Sequence, residues 1–240
     1  MTDRAQAETL GFATVFGLVA FMVLAVSLTV YPAISDVSAH QRVSNVEEGM
    51  ASLADNVDEV VRNDAPSRST RLRLDGGQLA LGDPEQLTIS GQNATGPFSE
   101  TYTVRPLVYR SGEGTDLVYA NGAVFRAEDG GVAVVHEPRM VVSGDRVVLP
   151  VVRLRQGDGP SGVAGTTRVA TTASDRRVAL AETMSSDVTL TVDSPRAPGW
   201  RRVLEAQGMT CSGSGPDTVT CTRDTDHVHV TVVEVEVAFR

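Results

Sequence analysis

Lysine is missing from this 240-residue chain: all 21 basic residues are arginine. Aromatic side chains are scarce, at 5% with a single Trp, and cysteine occurs twice. Positive charge is in short supply overall, because 30 acidic residues leave a formal net charge of −9. Nucleic-acid binding needs clustered positive charge that displaces counterions, so no nucleic-acid partner is expected. The sequence has no CxxC pair, HExxH, GxSxG turn or glycine-rich phosphate loop. With those mechanistic motifs lacking, the chain is expected to be no enzyme and to hold no cofactor or metal. Arginine without lysine, beside so many carboxylates, fits a surface adapted to very high salt. A GC-rich genome gives the same bias, and composition does not separate the two.

What is present is unevenly placed. No side chain from residue 9 to residue 35 is charged, and residues 11–31 are mostly Val, Leu, Phe and Ala. About 20 helical residues, rising 1.5 Å each, cross a hydrocarbon core of roughly 30 Å. Residues 10–31 are therefore long enough to span as a helix. A secretory signal peptide has a shorter apolar region and then a small-residue cleavage site, which does not follow here. The run reads as a retained, single-pass span. Arg4 precedes it and Asp36 is the first charge after it. That bias places the N-terminus in the cytoplasm and residues 36–240 outside the cell. Glu8 abuts the apolar run, where a carboxylate is costly unless it is paired or kept at the interface. One reading makes it a helix-start charge in the headgroup layer, favoured by the macrodipole.

Another reading rests on Arg4-Ala5-Gln6, which resembles the cleavage site of archaeal type IV prepilins and prearchaellins. The layout is similar to a pilin-like family of salt-loving archaea, most specifically over about residues 4 to 75. The resemblance implies that a prepilin peptidase cuts between Ala5 and Gln6 and leaves the apolar helix on the mature protein. It implies that the new amine of Gln6 and the Glu8 carboxylate neutralise one another, within a subunit or between neighbours. The sequence departs from the family in having Ala5 where Gly is commoner, and Glu8 lies nearer the new terminus. The implied partners are membrane lipid, the peptidase and other pilin-like subunits. The implied role is that of a minor pilin or pseudopilin at the cell surface or in a filament. The alternative is a permanently anchored surface protein whose β domain binds a ligand or partner.

Beyond the span, Ala39, Val43, Val46, Met50, Leu53, Val57 and Val60 alternate spacings of four and three, an apolar helical seam. Glu47, Glu48, Asp55, Asp58 and Glu59 lie between them and read as a solvated face. The seam suits either a helix lying on its own globular domain or a coiled coil between subunits. Everything after residue 64 has strand character, including residues 70–74, 78–81, 101–109, 116–125, 166–172, 176–181 and 227–239. Turn signals such as Asp75-Gly76-Gly77 and Asn121-Gly122 separate the runs. The expected fold class is α+β. A long N-terminal helix, span plus amphipathic extension, precedes an antiparallel β-rich, sandwich-like domain. The expected parts are a leader (1–5), a core helix (6–35), an amphipathic helix (36–63) and an extracellular β-rich domain (64–240).

Four smaller expectations follow. Cys211 and Cys221 flank a turn-rich segment between strands and are expected to form a disulfide in an exported domain. Asn93-Ala94-Thr95 matches the N-glycosylation acceptor pattern in a loop. His227 and His229 share one face of the last strand and read as solvated. In that strand Val228, Val230 and Val232 alternate on one phase, whereas Val233, Val235, Val237 and Phe239 alternate on the other. The shift predicts a β-bulge at Val232 and Val233.

Overall fold

The computed structural model describes the backbone of residues 2–63, 65–213 and 215–240, and the side chains of residues 14–25, 41–63, 65–213 and 215–240. The chain divides into two compact units, Met1–Ser44 and Asn45–Arg240. Helix α1 (Thr2–Arg62) supplies the described backbone of the first unit and opens the second. In the second unit the strands are β1 (Ser67–Leu81), β2 (Glu85–Asn93), β3 (Gly96–Val104), β4 (Leu107–Arg110), β5 (Asp116–Ala120), β6 (Ala123–Glu128) and β7 (Gly131–His136). They continue with β8 (Val141–Val142), β9 (Arg146–Gln156), β10 (Gly162–Thr183) and β11 (Val188–Asp193). Helix α2 (Ala197–Ala206) precedes β12 (Thr210–Ser212), β13 (Thr218–Arg223) and β14 (His227–Phe239).

Two sheets result, a nine-stranded one in the order β7-β6-β5-β4-β1-β10-β14-β9-β8 and a five-stranded one in the order β12-β13-β11-β2-β3. The second unit is thus β-rich, as expected. One pair departs from the antiparallel pattern: β14 and β9 run parallel, from His227 beside Arg146 to Val237 beside Gln156. Between the sheets, Val118, Phe125, Leu149 and Val230 of the larger one meet Leu87, Ile89, Leu190 and Val219 of the smaller. The only Trp anchors α2 in this core, where its ring lies edge-on to Phe125 with centroids 5.1 Å apart.

The opposite face of the larger sheet carries the last turns of α1. Val46, Met50, Leu53, Val57 and Val60 are all buried. Full burial of such a side chain is worth about 1.5–3 kcal/mol, so the seam is a strong docking face. Gly49 permits the close approach, since a Cβ there would lie 2.6 Å from Leu72 Cδ2. Asn56 Nδ2 donates to Thr70 Oγ1 at 2.9 Å. From Val46 onward the seam therefore serves the chain's own domain; the side chain of Ala39 lies outside the described residues.

The acidic residues beside the seam are not simply solvated. Glu47 pairs with Arg126 at 3.6 Å, Glu59 with Arg68 at 3.3 Å, and Arg139 reaches both Asp55 and Asp58. Arg176 Nη2 also donates to the Val60 carbonyl at 3.0 Å. Arginines of the sheet therefore grip the helix along its flanks, and of the five acids only Glu48 is exposed and outside any such pair among the described residues. Burial holds the Asp58 carboxyl above its usual range, although Arg62 and Arg139 pull it down. Exposed pairs of this kind are worth about 0–1 kcal/mol each, so they set the angle and register of α1 more than its stability.

The expected bulge in β14 is absent. Its pairing with β9 is unbroken across Val232 and Val233, and the irregularities sit on the neighbouring β10, between Ala173 and Asp175 and between Val178 and Leu180. The change of phase reflects a change of cover. Val228, Val230 and Val232 belong to the core between the sheets, whereas the buried Val233, Val235, Val237 and Phe239 lie on the other face. A period-2 shift marks a bulge only where one face alone is buried. Other runs also differ from the expected division. Residues 70–74 and 78–81 form the single strand β1, with Asp75 and Gly76 at φ 23° and 95° as an irregularity inside it. The run 101–109 breaks before Pro106 and feeds both sheets.

Candidate functional site

The largest exposed apolar surface among the described residues lies on α1 in the first unit. Val15, Phe16, Leu18, Val19, Phe21, Met22, Val23 and Leu24 are between 52% and 72% exposed. At 100° per residue they cover every side of the helix, leaving no polar face toward water. A helix apolar all round belongs in a nonaqueous or protein-packed environment. In the second unit only Val141 and Val178 are exposed large hydrophobics among the described residues. Among the described residues no helix is long and apolar enough to cross a membrane. The fully described part of the run is residues 14–25, about 18 Å of helix at the standard rise. Arg4, Ala5, Gln6 and Glu8 lie on the α1 backbone, with side chains outside the described residues.

The Cys211–Cys221 disulfide is formed. The two residues are register partners on β12 and β13, so the bond fastens a three-residue edge strand to its neighbour. Arg201 of α2 adds a bond from Nη2 to the Ser212 carbonyl at 3.1 Å. Under denaturing, non-reducing conditions both thiols should resist alkylation until a reductant is added. Reduction is expected to lower stability by about 2–3 kcal/mol, read from a urea melt.

Asn93 sits at the end of β2, in the tight β2–β3 turn. Its Oδ1 accepts from the Thr95 amide, the Thr95 hydroxyl and the Gly96 amide, at 2.7–3.1 Å. Its Nδ2, the atom that would carry a glycan, donates to Glu182 Oε2 at 2.9 Å. His227 is exposed and His229 half-buried on β14. No group of three or more His, Cys, Asp or Glu poised for a metal occurs among the described residues.

Three features escape a reading of the sequence. Glu85, at the start of β2, and Arg196, just before α2, form an ion pair with side chains 4% and 14% exposed. Residues 111 apart gave no spacing signal for it. A cleft of about 250 Å³ at the end of α1 is lined by Arg62, Arg139 and Arg176 over Val61, Val148 and Pro150. Its arginines already serve α1, as described above. A second cleft of about 200 Å³ opens between the sheets, with Glu100, Tyr102 and Thr103 of β3 facing Arg153 and Arg177.

The second unit is a β-rich domain of two packed sheets. The chain belongs to a family of unknown function, DUF7289, whose model matches residues 4–238 and so takes in both units. No curated protein matches the chain, and no solved structure does.

Proposed function

We propose that the protein is a type IV pilin-like cell-surface subunit, of the minor pilin or pseudopilin kind, stored in the membrane and assembled through its N-terminal hydrophobic helix. The observation that carries this reading is the contrast between the two units. The α1 surface from Val15 to Leu24 is apolar on every side, whereas the β domain buries nearly all its large hydrophobics. Residues 10–31 span the bilayer, with the N-terminus cytoplasmic and the β domain outside. The resemblance at Arg4-Ala5-Gln6 supports cleavage by a prepilin peptidase after Ala5. The freed helix then exchanges lipid for other subunit helices, which bury the same side chains. In this reading the protein works by assembly and not by catalysis, and the lysine-free acidic surface serves life at high salt.

Glu8 is the residue on which assembly turns. An unpaired carboxylate costs about 2.5–3.5 kcal/mol in hydrocarbon on insertion scales. The Gln6 amine relieves that cost only after cleavage. Glu8→Gln is therefore expected to spare insertion and cleavage and to lower the share of cleaved protein in sheared filaments. An unchanged ratio of filament to membrane protein would reduce Glu8 to a helix-start charge. The second reading, an anchored binding module, is favoured by the polar cleft beside β3. It requires the leader to stay on the protein.

A further inference from the structure

Most open stretches of sheet edge in the β domain are blocked. On β7 the Val132 carbonyl accepts a bond from Arg202 of α2. β8 has two residues and β12 three, the latter tied by the disulfide. Past β8, the open side of β9 is capped by Asn121, which bonds the Pro150 carbonyl and the Val152 amide. β10 has no β1 partner beyond Thr172, but there it carries two irregularities and the charges of Asp175, Arg176 and Arg177. Short strands, bulges, charges and caps all discourage strand pairing.

β3 carries fewer of these devices: one charge, Glu100, and one capped carbonyl, that of Thr103. It is nine residues long and pairs with β2 without a break, from Val104 opposite Glu85 to Gly96 opposite Asn93. Ser99, Glu100, Thr101 and Thr103 are exposed along it. The two-residue turn at Ala94 and Thr95 makes Asn93 and Gly96 a hydrogen-bonded pair. By alternation Phe98, Glu100 and Tyr102 point their backbone groups at β2, while those of Ser99, Thr101 and Thr103 point to the open side. The Thr103 carbonyl agrees: it accepts from Arg153 Nε at 3.2 Å, and its second lone pair is left for a strand on that side.

The same edge borders an unsatisfied polar cleft. Tyr102 is 7% exposed, yet its hydroxyl has no hydrogen-bond partner among the described residues. Burial, then Glu100, hold that hydroxyl protonated against the pull of Arg177, so it is a donor in want of an acceptor. Among the described residues neither Glu100 nor Arg177 belongs to an ion pair.

We propose that β3 pairs antiparallel with β3 of a second copy about a twofold axis at Thr101, so that each copy's Glu100 lies opposite the other's Tyr102 and reaches its hydroxyl and Arg177. Two neighbouring registers fare worse, and only the one at Thr101 sets Glu100 against Tyr102. A twofold at Glu100 sets two carboxylates face to face, which destabilises a cross-strand pair. A twofold at Ser99 places Pro97, which has no N–H, against Thr101. The Thr101 register pairs Ser99 with Thr103 and puts Glu100 and Tyr102 in the closer, non-hydrogen-bonded site. The contact is isologous and closes as a dimer. It extends the smaller sheet to ten strands across the two copies. It concerns the β domain alone and stands whether or not the helix assembles as proposed above.

Cysteine cross-linking of the full-length protein in native membranes tests the register. The natural cysteines give no background, being bonded to each other. Thr101→Cys should yield a dimer with a short bismaleimide. Differently tagged Ser99→Cys and Thr103→Cys copies should cross-link when mixed. Ser99→Cys alone should not, because its two copies sit four residues apart, ~13 Å along the strand. Glu100→Arg should lower the Thr101→Cys dimer about tenfold, and adding Arg177→Glu should restore it. No dimer from Thr101→Cys overturns the proposal. So do equal yields from Ser99→Cys alone and from the mixture, cross-links only to a different protein, or failure of the charge swap to rescue.

Discussion

Arg196→Ala is expected to cost the β domain about 3–5 kcal/mol, the usual penalty for removing one partner of a buried ion pair. Glu85 would be left 4% exposed without its countercharge. The pair joins the start of β2 to the entry of α2, and α2 carries Trp200, Val203 and Leu204 into the core. Burial already draws the Arg196 guanidinium below its ordinary value, so the ions are held together against a desolvation cost. The double variant Arg196→Met with Glu85→Leu should therefore recover most of the loss, because no stranded charge remains. Urea denaturation followed by Trp200 fluorescence reads both. A loss under about 1 kcal/mol for Arg196→Ala would mean that water reaches the site and screens the pair.

Two arginines in the apolar helix should act on location and leave folding of the β domain untouched. On insertion scales an Arg at a helix centre costs about 2.5–3.5 kcal/mol, where Leu or Phe gains a few tenths. Leu18→Arg together with Phe21→Arg is then worth roughly 6–7 kcal/mol against insertion, enough to move the protein out of the membrane fraction. Urea melts of the β domain should match the unmodified protein. Val141→Arg, at an exposed site on the domain, is the control and should stay with the membrane. Retention of the double variant in carbonate-washed membranes would contradict a spanning role for residues 10–31.

Legibility of the fold from the sequence varied with how local the signal is. The α1 seam from Val46 onward and the Asn121-Gly122 hairpin turn are written within a few residues, and each is found. The disulfide was legible because two cysteines flank one turn. Whatever depends on which layer covers a face was not. The valines of β14 look like a bulged strand until α1 and the smaller sheet are seen to cover different ends of it. Glu47, Asp55, Asp58 and Glu59 look solvated until arginines arrive from β1, β6 and the segment before β8. The Glu85–Arg196 pair and the cleft at Tyr102 are assembled from distant segments, which no periodicity records. Of the sites drawn from the N-terminal resemblance, the side chains of Arg4, Ala5, Gln6 and Glu8 lie outside the described residues, so chemistry at that end must be read by experiment.

The first residue of the mature protein is the most direct test of assembly through the helix. Intact-mass and N-terminal peptide measurement on membrane-extracted protein should find Gln6 leading the chain, with residues 1–5 removed. A chain that still begins at Met1 and keeps Arg4-Ala5 ahead of Gln6 would contradict the pilin-like reading and leave the anchored binding module in its place.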